Sequence, residues 1–111
     1  MIEVKVKNYL EEKLEIPVRM EDDEDIDGKF ILIEKTGGGQ ENYVKKATLA
    51  IQSFALSLFE AAMINEKVKE TMGNIIELDD ISRCQLNSDY NYTDTKQKRY
   101  RYQAVYDIIY F

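Results

Sequence analysis

Side chains that attack, ligate or trade protons are present in this chain, but few fall into a pattern that chemistry requires. The densest group runs from Glu21 to Asp27, where Asp22, Asp23, Glu24, Asp25 and Asp27 crowd together before Gly28. Closely spaced carboxylates attract hard cations. A calcium loop, however, needs alternating oxygen ligands, a mid-loop glycine and a distal glutamate between two helices. None of these occurs here. Like charges at this density repel, so the stretch reads as a solvated loop at an exposed hairpin tip. An acidic patch that faces a partner or repels DNA is the other reading. Gly37, Gly38 and Gly39 invite comparison with a phosphate loop, yet the lysine and hydroxyl of that motif are missing and no dinucleotide spacing fits. They read as a flexible turn, or as a close backbone approach to a neighbouring chain.

The rest of the inventory is thin. No histidine occurs, which removes the commonest general base and metal ligand. Cys84 stands alone, with no disulfide partner and no histidine to activate it, and reads as a small buried hydrophobe in a strand. That fits a reducing cytoplasm. Ser53, Ser57, Ser82 and Ser88 lack a nucleophile elbow. Asp89 and Asp94 flank Tyr90 and Tyr92, where polar turn chemistry explains them. No catalytic centre, cofactor site or metal site is expected.

Tyrosine is the other notable resource. Six of the eight fall between Tyr90 and Tyr110, with Arg99 and Arg101 among them. Aromatics interleaved with arginine can stack single-stranded nucleic acid. On one strand, however, Tyr100 and Tyr102 alternate away from Arg99 and Arg101, so the two sets line opposite faces. Core or protein interface is the expected use. The net charge of −6 across 111 residues also argues against general nucleic-acid binding. Residues 1–111 suit one domain. No apolar run reaches membrane-spanning length, and no export signal is recognisable.

Elements that would position these residues follow from periodicity. Ile2, Val6, Tyr9, Leu10 and Leu14 predict an amphipathic helix ending before Pro17. Val18 to Met20 is a short edge strand. Lys29 to Thr36, apolar on both faces at Phe30 to Ile33, predicts a central strand. Thr48 to Phe54 predicts another. Ser57 caps a helix running to about Met72 and stopping near Gly73, with Leu58, Ala61, Ala62, Ile64, Val68 and Met72 as its core stripe. Phe59 and Met63 lie off that stripe, either as the margin of a wide core or as an exposed patch that meets another subunit. Ile81 to Leu86 pairs through a polar loop, Asn87 to Gln97, with a long strand whose even positions are apolar to Tyr110. Its odd face turns from Arg99, Arg101 and Gln103 to Val105, Ile109 and Phe111, so a cover is expected at that end. The order α-β-β-β-α-β-β makes an α+β fold: a mostly antiparallel sheet of about five strands with two helices on one face.

The segments FILIEKTGGG, ATLAIQSFALSLFEAAMI and SDYNYTDTKQKRYRYQAVYDIIYF together resemble the tail terminator (tail-to-head joining) proteins of long-tailed bacteriophages. The shared features are a hydrophobic strand ending in Thr-Gly-Gly, a strand running into an Ala-rich helix, and a closing Arg-Tyr strand with an aromatic-Asp-Ile end. They occur in the right order over nearly the whole chain. The resemblance implies a subunit without an active site. It would assemble into a homohexameric ring at the head-proximal end of the tail, in the virion after assembly in the host cytoplasm. Its partners would be further copies of itself, the tail tube protein and the head–tail connector proteins, with DNA passing through an acidic lumen. Phe59, Met63 and Phe111 would then supply apolar contact surface. Thr36, Gly37, Gly38, Gly39, Tyr90, Tyr92, Arg99 and Arg101 would lie in or beside loops that order on contact. A head-completion (stopper) component of the same particle, or a cytoplasmic adaptor gripping a protein through the hairpin tyrosines, are the alternatives.

Overall fold

Helix α1 spans Ile2–Leu14 and buries Ile2, Val6, Tyr9 and Leu10. It stops at Glu15, which takes the left-handed conformation (φ 56°) and returns its N–H to the Glu11 carbonyl, two residues ahead of Pro17. The computed structural model describes residues 1–22 and 28–111. Strand β1 (Val18–Arg19) is followed by β2 (Phe30–Glu41), β3 (Val44–Ala55), helix α2 (Leu58–Met72), a short 3-10 turn at Ile75–Glu77, β4 (Ile81–Asn91) and β5 (Tyr100–Tyr110). The sheet order is β1-β2-β3-β5-β4, with β1 parallel to β2 and every other pair antiparallel. This is the expected α+β architecture in the expected order. Strands of 12 residues at about 3.3 Å per residue account for most of the 44 Å long axis.

Both helices pack on one face of the sheet. Ile31, Ile33, Leu49, Ile51, Ala104, Tyr106 and Ile108 point there and meet Val6 and Leu10 of α1 and Ala61, Ile64, Val68 and Met72 of α2. Full burial of an Ile or Leu side chain stabilises by roughly 1.5–3 kcal/mol, so this layer dominates the fold's energetics. The opposite, helix-free face has a smaller cluster of Phe30, Leu32 and Phe54, in which the Phe30 and Phe54 rings stack at 4.4 Å and 7°.

The structure corrects several boundaries. Gly37, Gly38 and Gly39 are not a turn: β2 runs straight through them and pairs with Thr48, Ala47 and Lys46. The chain reverses at Asn42 and Tyr43, whose positive φ values of 50° and 69° supply the two left-handed residues of a tight two-residue hairpin. Nor is β2 central along its length, because β1 covers only Ile31 and Leu32. β1 and β2 are parallel, so these two strands do not form the hairpin that an exposed tip would join. Asp23, Glu24, Asp25 and Asp27 lie outside the described residues. The predicted loop from Asn87 to Gln97 shrinks as well, for Ser88, Asp89, Tyr90 and Asn91 all pair with β5. On α2, Leu58 is exposed while Asn65 is buried.

Candidate interaction surfaces

The β4–β5 hairpin is closed by its own side chains. Asp94 accepts the backbone N–H groups of Lys96 (3.1 Å) and Gln97 (3.2 Å), the turn chemistry expected of an aspartate. Arg101 donates from Nε to the Tyr92 carbonyl at 2.6 Å. Its guanidinium lies 4.5 Å from the Tyr92 ring centre and 5.5 Å from that of Phe54. Arg99 sits 4.9 Å from the Phe54 ring centre and grips Asp22 with both terminal nitrogens at 2.9 Å. That guanidinium holds the Asp22 carboxyl below its ordinary pKa. Beneath them, Gln52 donates to Gln103 at 2.8 Å, and Gln103 donates in turn to the Tyr90 hydroxyl; both glutamines are buried.

Tyr90, Tyr92, Arg99 and Arg101 are therefore brought together on the helix-free face. The separation of tyrosine from arginine holds only within β5. Tyr90 stands opposite Gln103, and the Tyr92 N–H bonds the Arg101 carbonyl, so the two tyrosines of the neighbouring strand share the arginine face. The signal was the pairing register, which periodicity along one strand does not contain. Asp22 joins the same cluster across a sequence gap that no local pattern bridges.

A second surface lies on α2. Ala61, Ile64, Asn65, Val68 and Met72 take the inward stripe, which leaves Phe59 74% exposed and Met63 46% exposed one helical turn apart. Leu56, just ahead of the helix, is 71% exposed. Ser57 caps the first turn through the Glu60 N–H at 3.2 Å. The helix is pinned to the sheet by Asp89, which accepts from Asn65 and from Lys69, each at 2.6 Å. Hydrogen bonds donated to Asp89 and then to Glu66 raise the Lys69 pKa. Asp89 is thus a tertiary anchor and not a turn residue. An asparagine at an inward helical position was the available clue.

The third surface is the end of the sheet where β2 and β3 meet. Asp107 accepts from Thr48 and Asn87, both at 2.9 Å, beside a depression of about 270 Å³ lined by Lys46, Thr48, Arg83, Gln85 and Ile109. None of Gly37, Gly38 and Gly39 has positive φ. A Cβ at Gly39 would meet nothing within 4 Å, and one at Gly37 would make ordinary contact with Thr48 at 3.8 Å, whereas one at Gly38 would strike the end of Lys35. Thr36 is the bulged residue between Lys35 and Gly37. Phe111, at the same end, is 61% exposed, while the β5 residues before it, Ile109 and Tyr110, are half-buried. Burial raises the Cys84 thiol to about 11, so it is not poised as a nucleophile.

Among the described residues, no three His, Cys, Asp or Glu side chains converge as a metal site. No family model matches the chain, and no curated protein matches it.

Proposed function

We propose that this chain is the subunit of a ring at the head-proximal end of a long-tailed phage tail, where it stops tube growth and joins tail to head. The reading rests on the ordered resemblance of the strand–glycine, strand–helix and Arg-Tyr segments. The structural observation that carries it is the pair Phe59 and Met63, exposed one helical turn apart on α2. Large apolar side chains exposed together mark surface meant for another protein. A ring uses heterologous contacts, in which one patch meets a different patch on the next copy, and a closed ring leaves no end for further polymerisation. The mechanism is steric and needs no reacting group. An acidic chain, at −6, also suits a channel through which DNA slides without sticking.

The test is to add the protein to polymerising tail tube protein and measure tube lengths by electron microscopy. Tubes capped at one end and shortened in proportion to added protein are expected. Tubes of unchanged length and bare ends would overturn the proposal. The double variant Phe59→Asp with Met63→Asp should keep the fold within about 0.5 kcal/mol, as exposed substitutions do, and lose the capping.

A second reading draws on the other exposed aromatic cluster. Tyr90 and Tyr92, at 40% and 44% exposure beside Arg101, would give a cytoplasmic adaptor its grip on a protein partner. That protein would be a monomer or dimer and would ignore tail tubes.

A further inference from the structure

Two backbone edges of the sheet are unpaired among the described residues. The outer edge of β2 is covered by β1 only at Ile31 and Leu32, and β4 ends the sheet on the other side. Long open edges are normally blunted, since their free N–H and C=O groups recruit other strands. Here the two edges match each other. Following the registers across the sheet, Gly39 is level with Lys46, Ile109 and Arg83; Gly38 with Ala47, Ile108 and Cys84; and Gly37 with Thr48, Asp107 and Gln85. β2 and β4 run in opposite directions, because three antiparallel steps separate them. Rotation about an axis roughly along the strands therefore sets β4 of one copy antiparallel to β2 of the next.

We infer that residues 83–85 of one copy pair with residues 37–39 of a second copy, making the sheet continuous across the subunit boundary. The inference rests on the ring reading and specifies its contact. Bulges bracket the window on β4, between Ile81 and Arg83 and between Leu86 and Ser88, and a single bulge at Thr36 borders it on β2. The β4 bulge near Asn87 bends the strand where the neighbour's β1 would otherwise obstruct it. Charge agrees as well. Glu41, two residues from Gly39, shares its face, and among the described residues no ion pair neutralises it. The Arg83 side chain donates to Gln85 at 2.8 Å, makes no ion pair among the described residues, and lies beside Lys46. Across the junction, Arg83 stands diagonal to Glu41 on one face, within reach of a long side chain. Glycine weakens a strand interior and commonly marks close approach of another chain. A Cβ at Gly39 would meet nothing within 4 Å among the described residues, which leaves room for Arg83 of the next copy to lie across it.

The test is disulfide trapping in the full chain. Gly39→Cys and Arg83→Cys are combined on a Cys84→Ser background and oxidised, with mass measured alongside by light scattering. Within one chain the two positions lie three strand spacings apart, roughly 14 Å at about 4.8 Å each, too far for a disulfide. Every cross-link is therefore between copies. A ladder of covalent multimers ending at the ring mass is expected. A ring without cross-links overturns the edge contact and leaves the ring reading standing; a chain that never oligomerises overturns both. Charge reversal decides if the cysteines themselves disturb assembly. Arg83→Glu should weaken association at least about tenfold, and adding Glu41→Arg should restore it. Unchanged association in Arg83→Glu would also overturn the contact.

Discussion

The two hairpins lie at opposite ends of the sheet and are finished in opposite ways. In the β4–β5 hairpin, Asp94 closes the turn, Arg101 covers Tyr92 and Phe54, and Arg99 is tied to Asp22. These contacts all lie within the chain. In the β2–β3 hairpin, three successive strand positions carry no side chain, Tyr43 is 88% exposed at the tip, and the outer edge is unpaired among the described residues. Both regions read from sequence as flexible loops, yet residues 37–39 and 88–91 lie in strands. What separates them is self-sufficiency. A region saturated by its own chain contributes to the fold, whereas in the proposed ring the region left open would contribute to assembly.

Substitutions at the two ends should therefore separate stability from association. The largest effect is expected at Phe54, which stacks on Phe30 and underlies both arginines. Phe54→Ala should cost about 3–5 kcal/mol, the usual range for deleting a buried phenylalanine, read as a lowered urea midpoint. A cost below about 1 kcal/mol would deny that this end holds itself together. Asp89→Ala comes next, at about 1–3 kcal/mol, because it strands the buried Asn65 without its partner. Chemical denaturation at neutral pH checks it.

Asp22→Asn should cost at most about 1 kcal/mol at pH 7, as an ion pair partly open to solvent. The sign of its pH dependence is fixed. The folded-state carboxyl titrates below its ordinary value of 3.8, so its contribution is present above that pH and is lost as pH falls through the lower, folded-state value. Wild type and variant should thus converge in strong acid, and curves that stay parallel down to pH 2 would contradict the tie to Arg99. The smallest effect has the opposite sign. Gly39→Ala should stabilise the isolated chain by roughly 0.5 kcal/mol, since glycine is costly in a strand and the added methyl meets nothing. A destabilised Gly39→Ala monomer would show that the glycine serves its own fold.

Much of the architecture was legible because it is written in short-range pattern. The helical spacing of Val6 and Leu10, the Ser57 cap and the two-residue alternation of β5 all translate directly into elements. The misplaced turn has a physical cause. Gly37, Gly38 and Gly39 permit a reversal but do not require one, while Asn42 and Tyr43 carry the positive φ in a sequence that gives little warning of it. The surfaces were legible only in part. Phe59 and Met63 followed from helix phase. The cluster of Tyr92 with Arg101, and the reach of Arg99 to Asp22, depend on register and on contacts between distant segments, which no local period encodes.

The most direct test of the account is mass by light scattering across a wide concentration range and in low and high salt. The account predicts a closed oligomer of about six copies, as the resemblance implies, that persists in high salt because its contacts are apolar and backbone-mediated. A strict monomer at every concentration, unchanged when purified tail tubes are added, would contradict it.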